Sequence, residues 1–114
     1  MSGDPSPGQE PSTGTVDTPA ANTAAVVTLA AVAGQRHRIT AIAYSYTAAP
    51  AGGTLTVVDG ATPLVDIDVT SSWEVWAVLP PGGLVGTANT AMTITLTAGG
   101  AGISGKLSVG YLTR

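Results

Sequence analysis

The chain has 114 residues, a formal charge of −3, and a hydrophobic fraction of 44% that is swollen by alanine; it contains no Cys and no Phe. That length supports one domain, and the lack of cysteine excludes disulfides, thiolate metal sites and cysteine nucleophiles. Asp4, Glu10 and Asp17 precede residue 20 with no Lys or Arg among them, whereas Asp59, Asp66, Asp68 and Glu74 are matched further on by Arg36, Arg38, Lys106 and Arg114. A body so sparsely and evenly charged argues against nucleic-acid binding, which needs a basic face to displace counterions from phosphates.

Residues 1–21 read as an extended arm. Pro5, Pro7, Pro11 and Pro19 stand there among Gly, Ser and Thr, a composition that buries too little apolar surface to offset its own ordering entropy. No basic patch leads into an apolar run, and no apolar run approaches the roughly 20 residues that span a bilayer, so neither a signal peptide nor a membrane anchor is expected. The expected place of synthesis is a cytoplasm.

Residues 22–114 form the body, with about seven strands expected over 24–30, 36–46, 53–59, 63–69, 73–79, 90–97 and 103–112. Turn chemistry separates them: Ala33-Gly34, Pro50-Ala51-Gly52-Gly53, Asp59-Gly60, Ser71-Ser72 and Pro80-Pro81-Gly82-Gly83. Pro63 at the head of a strand suits a sheet edge, where its missing N–H costs nothing. No segment has helical periodicity, so the body is expected to be an all-β sandwich, with immunoglobulin-like, jelly-roll and small-barrel arrangements all compatible with the spacing.

The strongest local pattern is Ala88–Tyr111. Met92, Ile94 and Leu96 alternate with threonines, a Gly-rich run follows, and Leu107, Val109 and Tyr111 resume the alternation; this predicts a β-hairpin with one dry face. Ala21–Tyr44 is a partial copy, setting Ala25, Val27 and Leu29 on Met92, Ile94 and Leu96, and Ile42 and Tyr44 on Val109 and Tyr111. Two similar hairpins at corresponding places in one sandwich are the structural expectation.

Candidate chemistry is thin. Asp66 and Asp68 share one strand face roughly 7 Å apart, a spacing open to acid–base work or a calcium ligand pair, yet a solvated face explains them more simply. Arg36-His37-Arg38 is the only concentrated positive charge, suited either to an acidic patch on a partner or to a solvated strand end. His37 has no nearby Ser, Cys or second His to make a triad or a metal site. Trp73 and Trp76, three apart, are expected on opposite faces; packing in the core or at its edge is the simpler reading for both, and an exposed anchor for a sugar ring or a protein is the alternative. Tyr44 and Tyr46 share a face as packing residues. The Gly pairs are turns and not phosphate loops, because none leads from a strand into a helix.

Three stretches of the body, ANTAAVVTLAAVAGQRHRITAIAYSY, GGTLTVVDG and ANTAMTITLTAGGAGISGKL, resemble small proteins encoded among the head genes of tailed bacteriophages. The neighbouring understood class is the head decoration, or cement, proteins. The resemblance implies a jelly-roll sandwich acting without cofactor or catalysis as a structural virion protein, its partners being the major capsid protein and its own copies, with a trimer favoured. Asp4, Glu10, Val16, Asp17, Arg36, Arg38, Trp73 and Trp76 are then the candidate contact residues. A phage fibre or glycan-binding sandwich using Trp73 or Trp76 is the alternative.

Overall fold

The computed structural model of the chain describes residues 13–69, 71–76 and 83–114, and for 74–76 the backbone alone. Two antiparallel sheets face each other, and no helix occurs among the described residues. The first sheet runs β1 (Thr13–Asp17), β9 (Gly105–Thr113), β3 (His37–Tyr46), β6 (Trp73–Trp76), with the two-residue β7 (Leu84–Val85) also on β3. The second runs β2 (Ala25–Leu29), β8 (Met92–Leu96), β4 (Thr54–Asp59), β5 (Thr62–Asp68). β6 and β7 share one edge of β3, Trp76 standing opposite Ile42 and Leu84 opposite Ile39. Positions 77–79 of the fifth expected strand, and Pro80-Pro81-Gly82 of the turn after it, lie outside the described residues.

The expected hairpin at 88–111 is not one. β8 and β9 lie in different sheets, joined by residues 97–104. Each strand buries one alternating row, Met92, Ile94 and Leu96 on one side and Leu107 and Val109 on the other. Those rows are satisfied by facing each other across the roughly 10 Å between sheets, and the connection is long enough to make that crossing. Gly99 makes the crossing tight: a Cβ there would lie 2.6 Å from Ile103 Cγ2 and 2.8 Å from Tyr46 Cδ1.

The partial copy behaves in the same way. β2 and β3 also belong to different sheets, so the repeated unit is a strand, a crossing and a strand. β2 pairs with β8 with Val27 opposite Ile94, and β3 pairs with β9 with Ile42 opposite Val109. Residues matched by the sequence alignment thus stand against each other, which places the copies around a local two-fold axis. Asn22 and Asn89, matched in sequence, both take the left-handed conformation at φ 54 and 59°, which asparagine tolerates better than most residues. Each donates its N–H into the other copy's crossing, Asn22 to Ile103 O at 2.8 Å and Asn89 to Gln35 O at 3.0 Å.

Thr13–Asp17 belongs to the segment read as an arm, yet it pairs along its length with β9 of its own chain. Its composition did not announce a strand because the strand is held by its ladder and not by its side chains: none of its residues is in the core. The edge position expected for Pro63 holds, since β5 ends the second sheet. The true two-residue hairpin is β4–β5, with Asp59 opposite Thr62 and Gly60 at φ 61°.

The core fills the space between the sheets with Ile39, Ile42, Leu55, Val57, Met92, Ile94, Leu96, Leu107 and Val109 at its centre. A bulge in β3 between Ile39 and Ala41 lets Ile39 and Ile42, three apart, both face inward. Tyr44 and Tyr46 are buried as expected, edge to face with centroids 5.8 Å apart. The Tyr46 hydroxyl donates to Thr97 O at 2.7 Å. Burial raises the Tyr46 pKa above 10.0, a hydrogen bond with the Thr97 side chain offsets part of the rise and Tyr44 adds to it. The folded state therefore holds this proton more tightly than the unfolded chain. Its contribution to stability is complete below the unfolded value and is lost as pH rises through the folded one. Urea midpoints measured from pH 8 upward should fall more steeply above pH ~10 in the wild type than in Tyr46→Phe, which at neutral pH is less stable by about 1 kcal/mol for the lost bond.

Candidate functional site on the outer face of the first sheet

Each strand of the first sheet turns one row inward and one outward. The register sets Gly14 beside Gly110 and Val16 beside Ser108, and Ser108 and Gly110 stand in turn beside Ala43 and Ala41. Those rows are the outward ones, because the intervening Leu107 and Val109 are in the core. The result is a smooth face of glycine, alanine and serine that forms a shallow depression of about 200 Å³. Val16, one of the candidate contacts, stands on it 66% exposed.

Trp73 flanks this face and is equally exposed at 66%. With Ala43, Ser45, Lys106 and Ser108 it lines a second open depression of about 260 Å³. The Trp76 backbone pairs opposite Ile42, and its side chain lies outside the described residues, as do Asp4 and Glu10.

At the far end of the same sheet Arg36, Arg38 and Arg114 surround Leu112 and Val85 in a hollow of about 70 Å³. Arg36 and Arg114 stand opposite each other across the pair of strands, exchanging N–H to O bonds at 2.5 and 2.8 Å. Arg114 was not singled out in the sequence because its approach to Arg36 depends on the register of β3 against β9, which side-chain alternation does not reveal.

His37, between the two arginines, is not a solvated strand-end charge but is 96% buried, being 4% exposed. Its Nε2–H donates to Ala30 O at 2.7 Å, since a carbonyl can only accept, and Nδ1 shares a hydrogen bond with the Thr113 hydroxyl at 2.8 Å. The ring meets Tyr111 edge-on with centroids 6.3 Å apart. Both nitrogens are thus used in fastening β3 to the end of β9 and to the residue after β2. Asp17 is likewise occupied: its carboxylate accepts the Val26 N–H at 2.8 Å, tying β1 of the first sheet to β2 of the second.

Asp66 and Asp68 are exposed on the edge strand β5, paired across from Thr56 and Thr54. Among the described residues no three His, Cys, Asp or Glu side chains gather as a metal site would require. Asp59 serves a loop, accepting from Thr87 N at 3.1 Å and from the Thr87 hydroxyl at 2.7 Å. What the first sheet offers is therefore a flat apolar contact surface with an aromatic at one margin and a basic hollow at one end. No family model matches the chain, and neither the curated proteins nor the solved structures yield a match.

Proposed function

We propose that the chain is a structural virion protein of a tailed bacteriophage that binds the outside of the capsid and braces it as a decoration protein, acting as a homo-oligomer. The observation that carries this reading is the outer face of the first sheet. Gly14, Ala41, Ala43, Ser108 and Gly110 leave the backbone open to close approach by a flat partner, and Val16 and Trp73 project from that face as apolar anchors. Such a surface suits protein contact better than the enclosure of a small molecule, which calls for a deep concave pocket.

The strand order is in keeping with a jelly roll. With β7 taken as a continuation of β6 along β3, the orders β1-β9-β3-β6 and β2-β8-β4-β5 are those that two nested Greek keys produce, an architecture found in viral capsid and lectin domains. Contacts that are weak singly become strong when many linked copies engage one closed shell. The protein is then made in the host cytoplasm and resides on the virion surface, with the major capsid protein and its own copies as partners.

A second reading rests on Trp73 beside Lys106, Ser45 and Ser108, an exposed ring among hydrogen-bonding groups that fits a sugar as well as a protein. Sedimentation of purified protein with undecorated capsids of the encoding phage, and a glycan array, separate the two. Capsid association that is weakened in Trp73→Ala, with no glycan signal, is the expected result; glycan binding lost in Trp73→Ala, with no capsid association, establishes the alternative.

A further inference from the structure

Charge is segregated between the two sheets. All 4 Lys and Arg side chains fall at positions 36, 38, 106 and 114, on or beside β3 and β9 of the first sheet. On its outer face Lys106 is exposed and stands opposite Ser45, which stands in turn opposite Trp73. No carboxylate shares that face among the described side chains: Asp17 of β1 is level with the inward Leu107 and turned to Val26 of the other sheet. The outer face of the second sheet is the reverse. Asp66 and Asp68 are exposed there beside Thr56 and Thr54, and Thr95 carries the row on to Val26. β2, β8, β4 and β5 contain no Lys or Arg.

We infer that a second copy of the chain covers the first-sheet face with the outer face of its own second sheet, setting its Asp66 and Asp68 against Lys106. This rests on the reading of the first-sheet face as a protein contact and names the chain's own copy as its occupant in solution. Two copies can meet face to face in three ways. Two of them set like charges together, Lys106 and Arg38 against their counterparts or Asp66 and Asp68 against theirs, and such juxtaposition is costly. Only the unlike pairing brings an ammonium to carboxylates, and it also takes Val16 and Trp73, each 66% exposed, out of water. The two faces look away from each other across the sandwich, so the contact is heterologous and does not close on itself. Its size keeps it weak. Four strands about 4.8 Å apart and about six residues long present roughly 20 by 20 Å, or about 800 Å² over both copies, short of a stable complex.

Sedimentation equilibrium of the full chain in low salt should give an average mass that climbs above one chain as concentration is raised. The rise should vanish in 1 M salt, where the screening length shrinks to about 3 Å. Lys106→Glu and Asp66→Lys/Asp68→Lys should each weaken association by about tenfold or more. The chain carrying all three substitutions should regain it, because the charges are then exchanged between the faces. An equimolar mixture of the two partial variants should regain it as well, which serves if circular dichroism shows the triple variant unfolded. An unaltered chain that stays single up to its solubility limit overturns the inference. So does association that survives salt or either partial substitution, or that neither the folded triple variant nor the mixture recovers. Capsid sedimentation is read separately: stacking without capsid association leaves this contact standing and removes the capsid, whereas capsid association without stacking does the opposite.

Discussion

Leu96→Ala is expected to destabilise the fold by about 3–4 kcal/mol, the middle to upper part of the range for buried leucines. Leu96 is fully buried on β8, inside the second sheet, with Ala25 opposite on β2 and Leu55 opposite on β4. Its Cδ2 approaches within 3.3 Å of the place where Gly105 lacks a Cβ, so it fills space that a glycine and an alanine leave open. Those small neighbours have nothing to extend into the vacancy, and the cavity persists. For a domain whose whole margin is about 5–15 kcal/mol, a loss of that size is visible as a large drop in the urea midpoint at unchanged slope. Leu96→Met, which keeps the volume, should cost less than about 1.5 kcal/mol, and Leu64→Ala, on the exposed flank of β5, less than about 0.5. If Leu96→Ala and Leu64→Ala cost the same, Leu96 does not hold the two sheets together.

The same residues show which parts of this fold are visible in a sequence. Alternation of apolar residues with threonine in β8 and with serine and glycine in β9 marks which side of each strand is dry, and the burial follows it through β8 and as far as Val109 in β9, after which Gly110–Thr113 are all half-buried. Period two carries no information on whether consecutive strands lie side by side or face to face, and on that point the hairpin reading of 88–111 failed. The internal repeat survived because it was a statement about equivalent residues and not about pairing. β1 was hidden for another reason: Thr-Gly-Thr-Val-Asp brings nothing to the core, and its order comes from the exposed edge of β9. In the site, Trp73 and the Arg36–Arg38 pair were legible as isolated polar or aromatic exceptions. The hollow itself was not, because Arg114 joins it from 76 positions beyond Arg38, through the same β3–β9 pairing that joins His37 to Thr113.

Removing residues 2–17 is expected to abolish capsid association while leaving the body folded. The two outcomes have separate physical causes. The described part of the deleted segment, Thr13–Asp17, contributes no core residue, and the ladder of that strand to β9 is worth about 0.5–1.5 kcal/mol per hydrogen bond before the cost of ordering the strand, about 1–2 kcal/mol per residue, is set against it. The two nearly cancel, so the urea midpoint of the truncated chain should move little, with the lost Asp17 to Val26 bond as the main local effect. Binding is affected differently, because the deletion takes away Gly14 and the exposed Val16 from one side of the apolar face and the acidic leader with them. It also bares the backbone donors and acceptors of β9 at a new sheet edge, which invites self-pairing. Sedimentation with undecorated capsids, run beside far-ultraviolet circular dichroism and a urea titration, separates the effects. A truncated chain that stays folded and still binds would remove β1 and the leader from the contact and leave Trp73 and β3 to carry it, whereas one that fails to fold would show that the β1 ladder is worth far more than its ordering costs.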